Sequence, residues 1–371
     1  MTESNDATAP REPEGLDTIH SVGWADYPLD SVFVRNEQRT VAEVVKRIRA
    51  NRYDLNPDFQ RDFVWPIEKQ SRLIESCLMR IPLPVFYVAE APDGRIIVVD
   101  GLQRLSTFRR YLDNEFRLVF PEGEDEEYRE NPLAGKRFKD LQLNLQERIE
   151  DTQLTLYVLD SKAPERAKLD IFERVNSGEP LTRQQMRNCL YNGPATQWLK
   201  DAADSQLFLV ATGGSLDRKK MRDREAINRF CAFRILGWKD YLGGDMDRFL
   251  AEVLQEMNNS SAQELSSLRT AFDQAMKNNS YLFAAHAFRK SLVGKADRTV
   301  LNIALFEVCA VALAKLSDEQ VANHREELRR LVRKLIQDEV FSSAITHSTN
   351  SRKQVRLRFE MMNEAVAEVL K

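Results

Sequence analysis

Residues Ile96-Ile97-Val98-Val99-Asp100-Gly101-Leu102-Gln103-Arg104-Leu105 change character halfway along, and no other stretch restricts the fold as strongly. Four consecutive apolar β-formers read as a buried strand. Asp-Gly is turn chemistry, and Leu105, Phe108 and Leu112 mark one face of a helix over Gln103–Leu112. A strand that enters a helix through a glycine sets a helix N-terminus at a strand end. Its first N–H groups lack intrahelical partners, its macrodipole is positive, and glycine permits close approach. Arg104 adds a fork suited to phosphate. The layout can hold an anion, although Asp-Gly is also a common turn and a first-turn Arg is also an ordinary surface residue.

Upstream, Thr40-Val41-Ala42-Glu43 is a capping box, and Val41, Val44, Val45 and Ile48 give an amphipathic helix ending near Asn51. Pro66 opens a second helix with Leu73, Ile74, Cys77 and Leu78 on its buried face. Val85–Ala89 and Arg95–Val99 read as a hairpin closed by Pro92-Asp93-Gly94, and Glu115–Phe120 and Gln153–Leu159 as further strands. After Pro164 the pattern is helical. Leu169, Phe172 and Val175 share a face over Pro164–Asn176, and Thr182-Arg183-Gln184-Gln185 caps the next helix. Further helices are expected near 224–237, 245–257, 262–276, 299–316, 318–336 and 351–370. The fold class is α+β: a small mixed head followed by an all-helical body.

Hydrophobic residues make up 43% and charged residues 30% of the 371, enough for a real core and two domains. No apolar run reaches membrane-spanning length. Met1–Gly15 resembles neither a secretory signal nor a transit peptide, so a cytoplasmic chain without a membrane partner is expected, with a disordered tail over 1–27. Cys77, Cys189, Cys231 and Cys309 lie far apart in apolar contexts and read as buried reduced thiols; the four histidines have no zinc-type spacing. A net charge of −3 does not announce a nucleic-acid partner. Arg218–Arg224 and Ser351–Arg358 are basic islands, open to DNA contact or to simple solvation, and Glu122–Glu130 is acidic.

Three ordered blocks carry a resemblance: Phe59-Gln60-Arg61-Asp62-Phe63-Val64-Trp65 with Lys69; Ile81-Pro82-Leu83-Pro84 followed by Val98–Thr107; and Ile171–Thr182 with its Phe-x-x-x-Asn, Gly and Pro-Leu. Together they resemble the N-terminal domain of GmrSD-type restriction endonucleases, within the wider ParB and sulfiredoxin-like fold. The resemblance implies domains over 28–192 (ParB-like, nucleotide-binding) and 193–371 (helical). It also implies binding and hydrolysis of a nucleoside triphosphate with Mg²⁺, coupled to attack on foreign or modified DNA in bacteria. The family's Asp-Gly-Gln-Gln-Arg motif reads Asp-Gly-Leu-Gln-Arg here, so the amide of its first Gln is replaced by Leu102.

On that resemblance, Arg104 and the Gly101–Gln103 amides form the phosphate cradle. Arg61 reaches the same anion, or instead pairs with Asp58 or Asp62. Asp100 binds Mg²⁺ or a ribose hydroxyl, or instead caps the helix. Asn176 with Gly178 closes over the nucleotide, or simply ends its helix. Gln103 positions an attacking water by analogy with other NTPases, making Asp100 and Gln103 the catalytic candidates. Lys69 and Trp65 contact phosphate and base, or Trp65 is core. Many relatives add a C-terminal His-Asn-His nuclease domain; His324 and His347 are not followed by its His-x-x-Pro pattern, so that chemistry is not expected in this polypeptide, and a nuclease or defence protein is a candidate partner. A ParB-like nuclease and a non-catalytic protein- or DNA-binding module are the alternative functions.

Overall fold

The computed structural model describes residues 12–14, 34–55, 65–91, 93–120, 131–163, 168–172, 182–242, 244–294 and 297–371. The chain divides into two compact units, Val22–Leu181 with Asn188–Leu190, and Met1–Ser21 with Thr182–Arg187 and Tyr191–Lys371.

The first unit is built on a mixed five-stranded sheet of order β1-β5-β3-β4-β2, with β1 Val34–Thr40, β2 Tyr53–Asp54, β3 Phe86–Glu90, β4 Ile96–Asp100 and β5 Gln153–Leu159. β3 and β4 form the expected hairpin, β1 runs antiparallel to β5, and β3–β5 and β2–β4 are parallel. Helices α1 (Val41–Arg49), α2 (Ile67–Leu78), α3 (Leu102–Leu112) and α4 (Leu143–Glu150) belong to the same unit. Thr40 Oγ accepts the Glu43 N–H at 3.1 Å and starts α1. Val41, Val44 and Val45 then pack with Ile74 and Cys77 of α2, Leu105 and Phe108 of α3, and Phe86, Val88, Val98, Leu154 and Leu156 from the strands. Ile96 through Val99 are all buried, so β4 is an unbroken apolar run where a strand with one solvated face would alternate.

Glu115–Phe120 is not the strand its alternation predicts. Phe116 and Leu118 are buried while Glu115, Arg117 and Val119 face solvent. The backbone bonds go to the Gly135–Lys136 turn, from Leu118 N–H to Lys136 O (3.0 Å) and from Gly135 N–H to Leu118 O (2.8 Å). Period-two burial needs only an extended chain, whereas a strand also needs a neighbour. Glu122–Glu130 lies outside the described residues.

The second unit is helical among its described residues. Thr182 forms the expected capping box with Gln185. At the centre, every residue of helix Ile303–Leu313 is buried, and helices Arg222–Ile235, Ala262–Phe283 and Arg352–Val369 pack around it. Its single charge, Glu307, is fully buried and binds Arg358 and Arg229, the latter at 2.7 Å. The expected helix over 318–336 is interrupted at His324, giving Asp318–Asn323 and Arg325–Gln337. Within the segment read as a disordered tail, Glu14 is bridged to the body: its N–H donates to Leu301 O and its carbonyl accepts from Ile303 N–H, both at 2.8 Å. No helix among the described residues is long and apolar enough to cross a membrane.

All four cysteines are buried and free. Burial pushes the Cys77 thiol up to about 11 and Cys309 up to about 12, and raises Cys189 and Cys231 as well. The native protein at pH 8 is therefore expected to leave all four thiols unmodified by a disulfide reagent, with full labelling in guanidinium. Rapid native labelling of any of them would contradict this packing.

Candidate functional site

Asp100 is the last residue of β4 and lies opposite Tyr87, where the β3–β4 register shifts. The chain then turns on Gly101, whose φ of +100° is left-handed, and α3 begins at Leu102. No side chain caps this helix; its first intrahelical bond runs from Leu105 N–H to Gly101 O at 2.9 Å. Glycine is required twice over here. Its φ is costly for other residues, and a Cβ would sit 2.3 Å from Cδ1 of the buried Phe86 ring. Leu102, at the position where the motif has glutamine, turns its side chain into the core and is 8% exposed. The substitution thus places an apolar side chain in an apolar environment.

Arg104, from the first turn of α3, reaches under the start of β3. Its Nη1 donates to Pro84 O and its Nη2 to Val85 O (3.1 Å), while Nη2 also pairs with Asp100 Oδ2 at 2.8 Å. The guanidinium lies over the Phe86 ring, 4.2 Å from its centroid. Burial lowers the Arg104 pKa, with Asp100 opposing the shift. The sequence reading missed these carbonyl and ring partners, which come from a segment about twenty residues upstream. It also allowed Asp100 to be the helix cap. In the structure the cap position is Gly101, and the Asp100 carboxylate reaches one turn forward to Arg104.

Gln103 sits beside this pair, and its Oε1 accepts the Trp65 N–H at 3.4 Å. Trp65 is half-buried against the core, and Lys69 Nζ lies 4.4 Å from its ring centroid. The turn therefore gathers Asp100, Gly101, Gln103, Arg104, Trp65 and Lys69 within the first unit. Arg61, Asn176 and Gly178 lie outside the described residues, as do Asp58 and Asp62. Chemically, the gathered groups offer a helix N-terminus, a guanidinium and a carboxylate 34% exposed at its side chain, the elements of a site for an anion and a counter-cation.

A model of the GmrSD restriction endonuclease N-terminal domain matches residues 41–192, from the first residue of α1 to beyond the Thr182 capping box. No curated protein and no solved structure matches the chain. The matched segment contains the Asp100–Arg104 turn and the sheet strands β2 to β5; β1, Val34–Thr40, lies just before it. Residues 41–192 of this chain are thus similar to the GmrSD restriction endonuclease N-terminal domain, a domain associated with restriction systems.

Proposed function

We propose that this protein is a nucleotide-binding component of a DNA restriction or anti-phage system, with the phosphates held at the turn from Asp100 to Arg104. One observation carries the reading: the left-handed Gly101 leaves an uncapped helix start at a strand end, beside the Asp100–Arg104 pair. A phosphate oxygen can compete with Asp100 for Arg104 without disturbing the carbonyl bonds, and Asp100 is then available to a Mg²⁺ ion. In this reading Gln103 is placed to orient a water at the terminal phosphate, which makes hydrolysis a second property to be tested. DNA and a nuclease supplied in trans are the partners that fit a restriction role. A non-catalytic scaffold is the competing reading, favoured by the burial of Leu102 and by the internal partners Arg104 already has.

Calorimetric titration of ATP, GTP, CTP and UTP, each with and without Mg²⁺, separates the two. Binding by the wild type is expected to weaken about tenfold or more in Arg104→Ala, and Asp100→Asn is expected to remove the Mg²⁺ dependence alone. Arg104→Ala also strips the donor from two carbonyls, at a cost of about 1–3 kcal/mol, so its folding is checked by circular dichroism. A wild-type chain that binds none of the four nucleotides, with or without Mg²⁺, leaves the scaffold reading in place.

A further inference from the structure

A cavity of about 880 Å³ in the helical unit is lined by the turn Gly213–Lys219, by Arg289 and Arg298, and by Pro13. Four of its lining residues are cations, Arg218, Lys219, Arg289 and Arg298, against one carboxylate, Asp217, which is engaged by the Lys220 N–H.

The two inner arginines are the anomaly. Arg289 is 2% exposed, and its head donates only to neutral acceptors: Nη1 to Thr299 O (2.7 Å), and Nη2 to Thr212 O (2.7 Å) and Ser215 Oγ (2.8 Å). Its Nε has no partner. Arg298 Nη2 likewise meets only Thr212 O (3.1 Å) and Gly213 O (3.4 Å). Neither arginine pairs with a carboxylate among the described residues. Burial, with Arg298 close by, brings the Arg289 pKa down to about 10. Apart from Lys219, the cations around them are paired: Arg218 with Asp204, Lys220 and Arg222 with Glu12, and Lys290 with Glu14. Among the described residues, carboxylates thus reach Arg218, Lys220, Arg222 and Lys290 and neither of the two arginines that repel one another. Buried charge is normally paired.

The carbonyls of Thr212 and Gly213 end the helix Gln206–Thr212, so both guanidinium groups act partly as C-terminal caps. A helix end offers roughly half an elementary charge, against two whole ones. A compensating ligand must be an oxyanion that accepts from planar forks, for which phosphate is the best match. The cavity is of the size that small-molecule sites occupy. Its floor is cleared by glycine: a Cβ at Gly213 would lie 2.3 Å from Arg298 Nη2, and one at Gly214 would meet nothing within 4 Å.

We propose that this cavity is a second phosphate site, separate from the turn at Asp100–Arg104, which binds the phosphate of a small molecule. Arg298 and Lys219 are its exposed ligands, and Arg289 is the buried charge that sets its potential. The site stands whether or not the first one binds nucleotide.

The test is calorimetry at low ionic strength with inorganic phosphate, pyrophosphate and ATP, on the wild type, Arg298→Ala, Lys219→Ala and Arg104→Ala. At least one probe is expected to bind the wild type and to lose about tenfold or more in affinity in Arg298→Ala, less in Lys219→Ala, with a component unaffected by Arg104→Ala. Phosphate against ATP separates a free ion from a nucleotide as the source. Arg298 is exposed, so its removal is not expected to unfold the chain; relief of repulsion should leave the melting temperature unchanged or raise it. Binding insensitive to Arg298→Ala, or no binding by any probe, overturns the proposal. So does a duplex DNA whose binding needs Arg298 while none of the three probes binds. A lower melting temperature in Arg298→Ala without phosphate binding would assign the pair to capping alone.

Discussion

Glu307→Gln is expected to destabilise the helical unit by about 3–5 kcal/mol, more than any surface charge change in the chain. The substitution is isosteric and leaves no cavity, so the effect isolates charge. Glu307 is fully buried, pairs with the equally buried Arg358, and accepts from Arg229 Nη1 at 2.7 Å. Burial pulls the Arg229 pKa down, and Glu307 and Glu225 outweigh it, so the guanidinium stays charged in the core. A glutamine keeps one acceptor oxygen but turns an NH₂ donor toward a guanidinium that is also a donor, so Arg358 is left facing a neutral amide and Arg229 keeps only the carboxylate of Glu225, 3.7 Å away. Water does not reach the network, since Glu307 and Arg358 are fully buried and Arg229 is 3% exposed. For a unit of this size the loss corresponds to a melting point lower by about 10 °C. Glu360→Gln is the matched control. Its partner Arg356 lies 2.7 Å away, but the two side chains are 63% and 37% exposed, and a change of about 0–1 kcal/mol is expected. Denaturant titration of both variants checks this, and equal costs would show that burial adds nothing to the Glu307 pairs.

That network shows where the sequence was readable and where it was not. In helix Ile303–Leu313 a lone glutamate among apolar residues is a visible signal of a buried pair. Its partner Arg358 belongs to the basic island Ser351–Arg358, open on sequence to DNA contact or to solvation, yet it falls three residues after Val355 and four before Met362, on the buried face of its helix. Charge composition hid what periodicity contained. The opposite holds at β1, Val-Arg-Asn-Glu-Gln-Arg-Thr, which has almost no apolar content to read. It exists because seven residue pairs join it to β5, and a polar edge strand is a common form of sheet edge. α4 has a single buried residue, Ile149, and gives no face to detect. The hairpin, β5 and the Thr182 capping box were legible because local turn and cap chemistry determines them. At the turn, Asp100 and Arg104 read from sequence as ligands of a bound nucleotide and not as partners of each other, although their i, i+4 spacing suits an ion pair, whereas Pro84 O, Val85 O and the Phe86 ring reach Arg104 only through tertiary packing.

Gly101→Ala tests how tightly that packing fixes the turn. At φ of +100° an alanine pays backbone strain of about 1–2 kcal/mol. Its Cβ would also lie 2.3 Å from Cδ1 and 2.9 Å from Cε1 of Phe86. Phe86 cannot swing away cheaply: it is fully buried in the core cluster, and the Arg104 guanidinium lies over its ring. Overpacking of this kind adds about 1–3 kcal/mol, for a total of about 2–5 kcal/mol. Gly94→Ala separates the two contributions, because Gly94 has a left-handed φ of +76° with nothing within 4 Å of a Cβ, and should show about 1 kcal/mol of strain alone. If the two alanine variants lose the same stability, the ring yields and the close contact does not define the turn. If Gly101→Ala loses more and Arg104 keeps its bonds to Pro84 and Val85, the helix start is held by packing independent of any ligand. A phosphate would then meet a preformed cradle, and the binding energy would not be spent on ordering it.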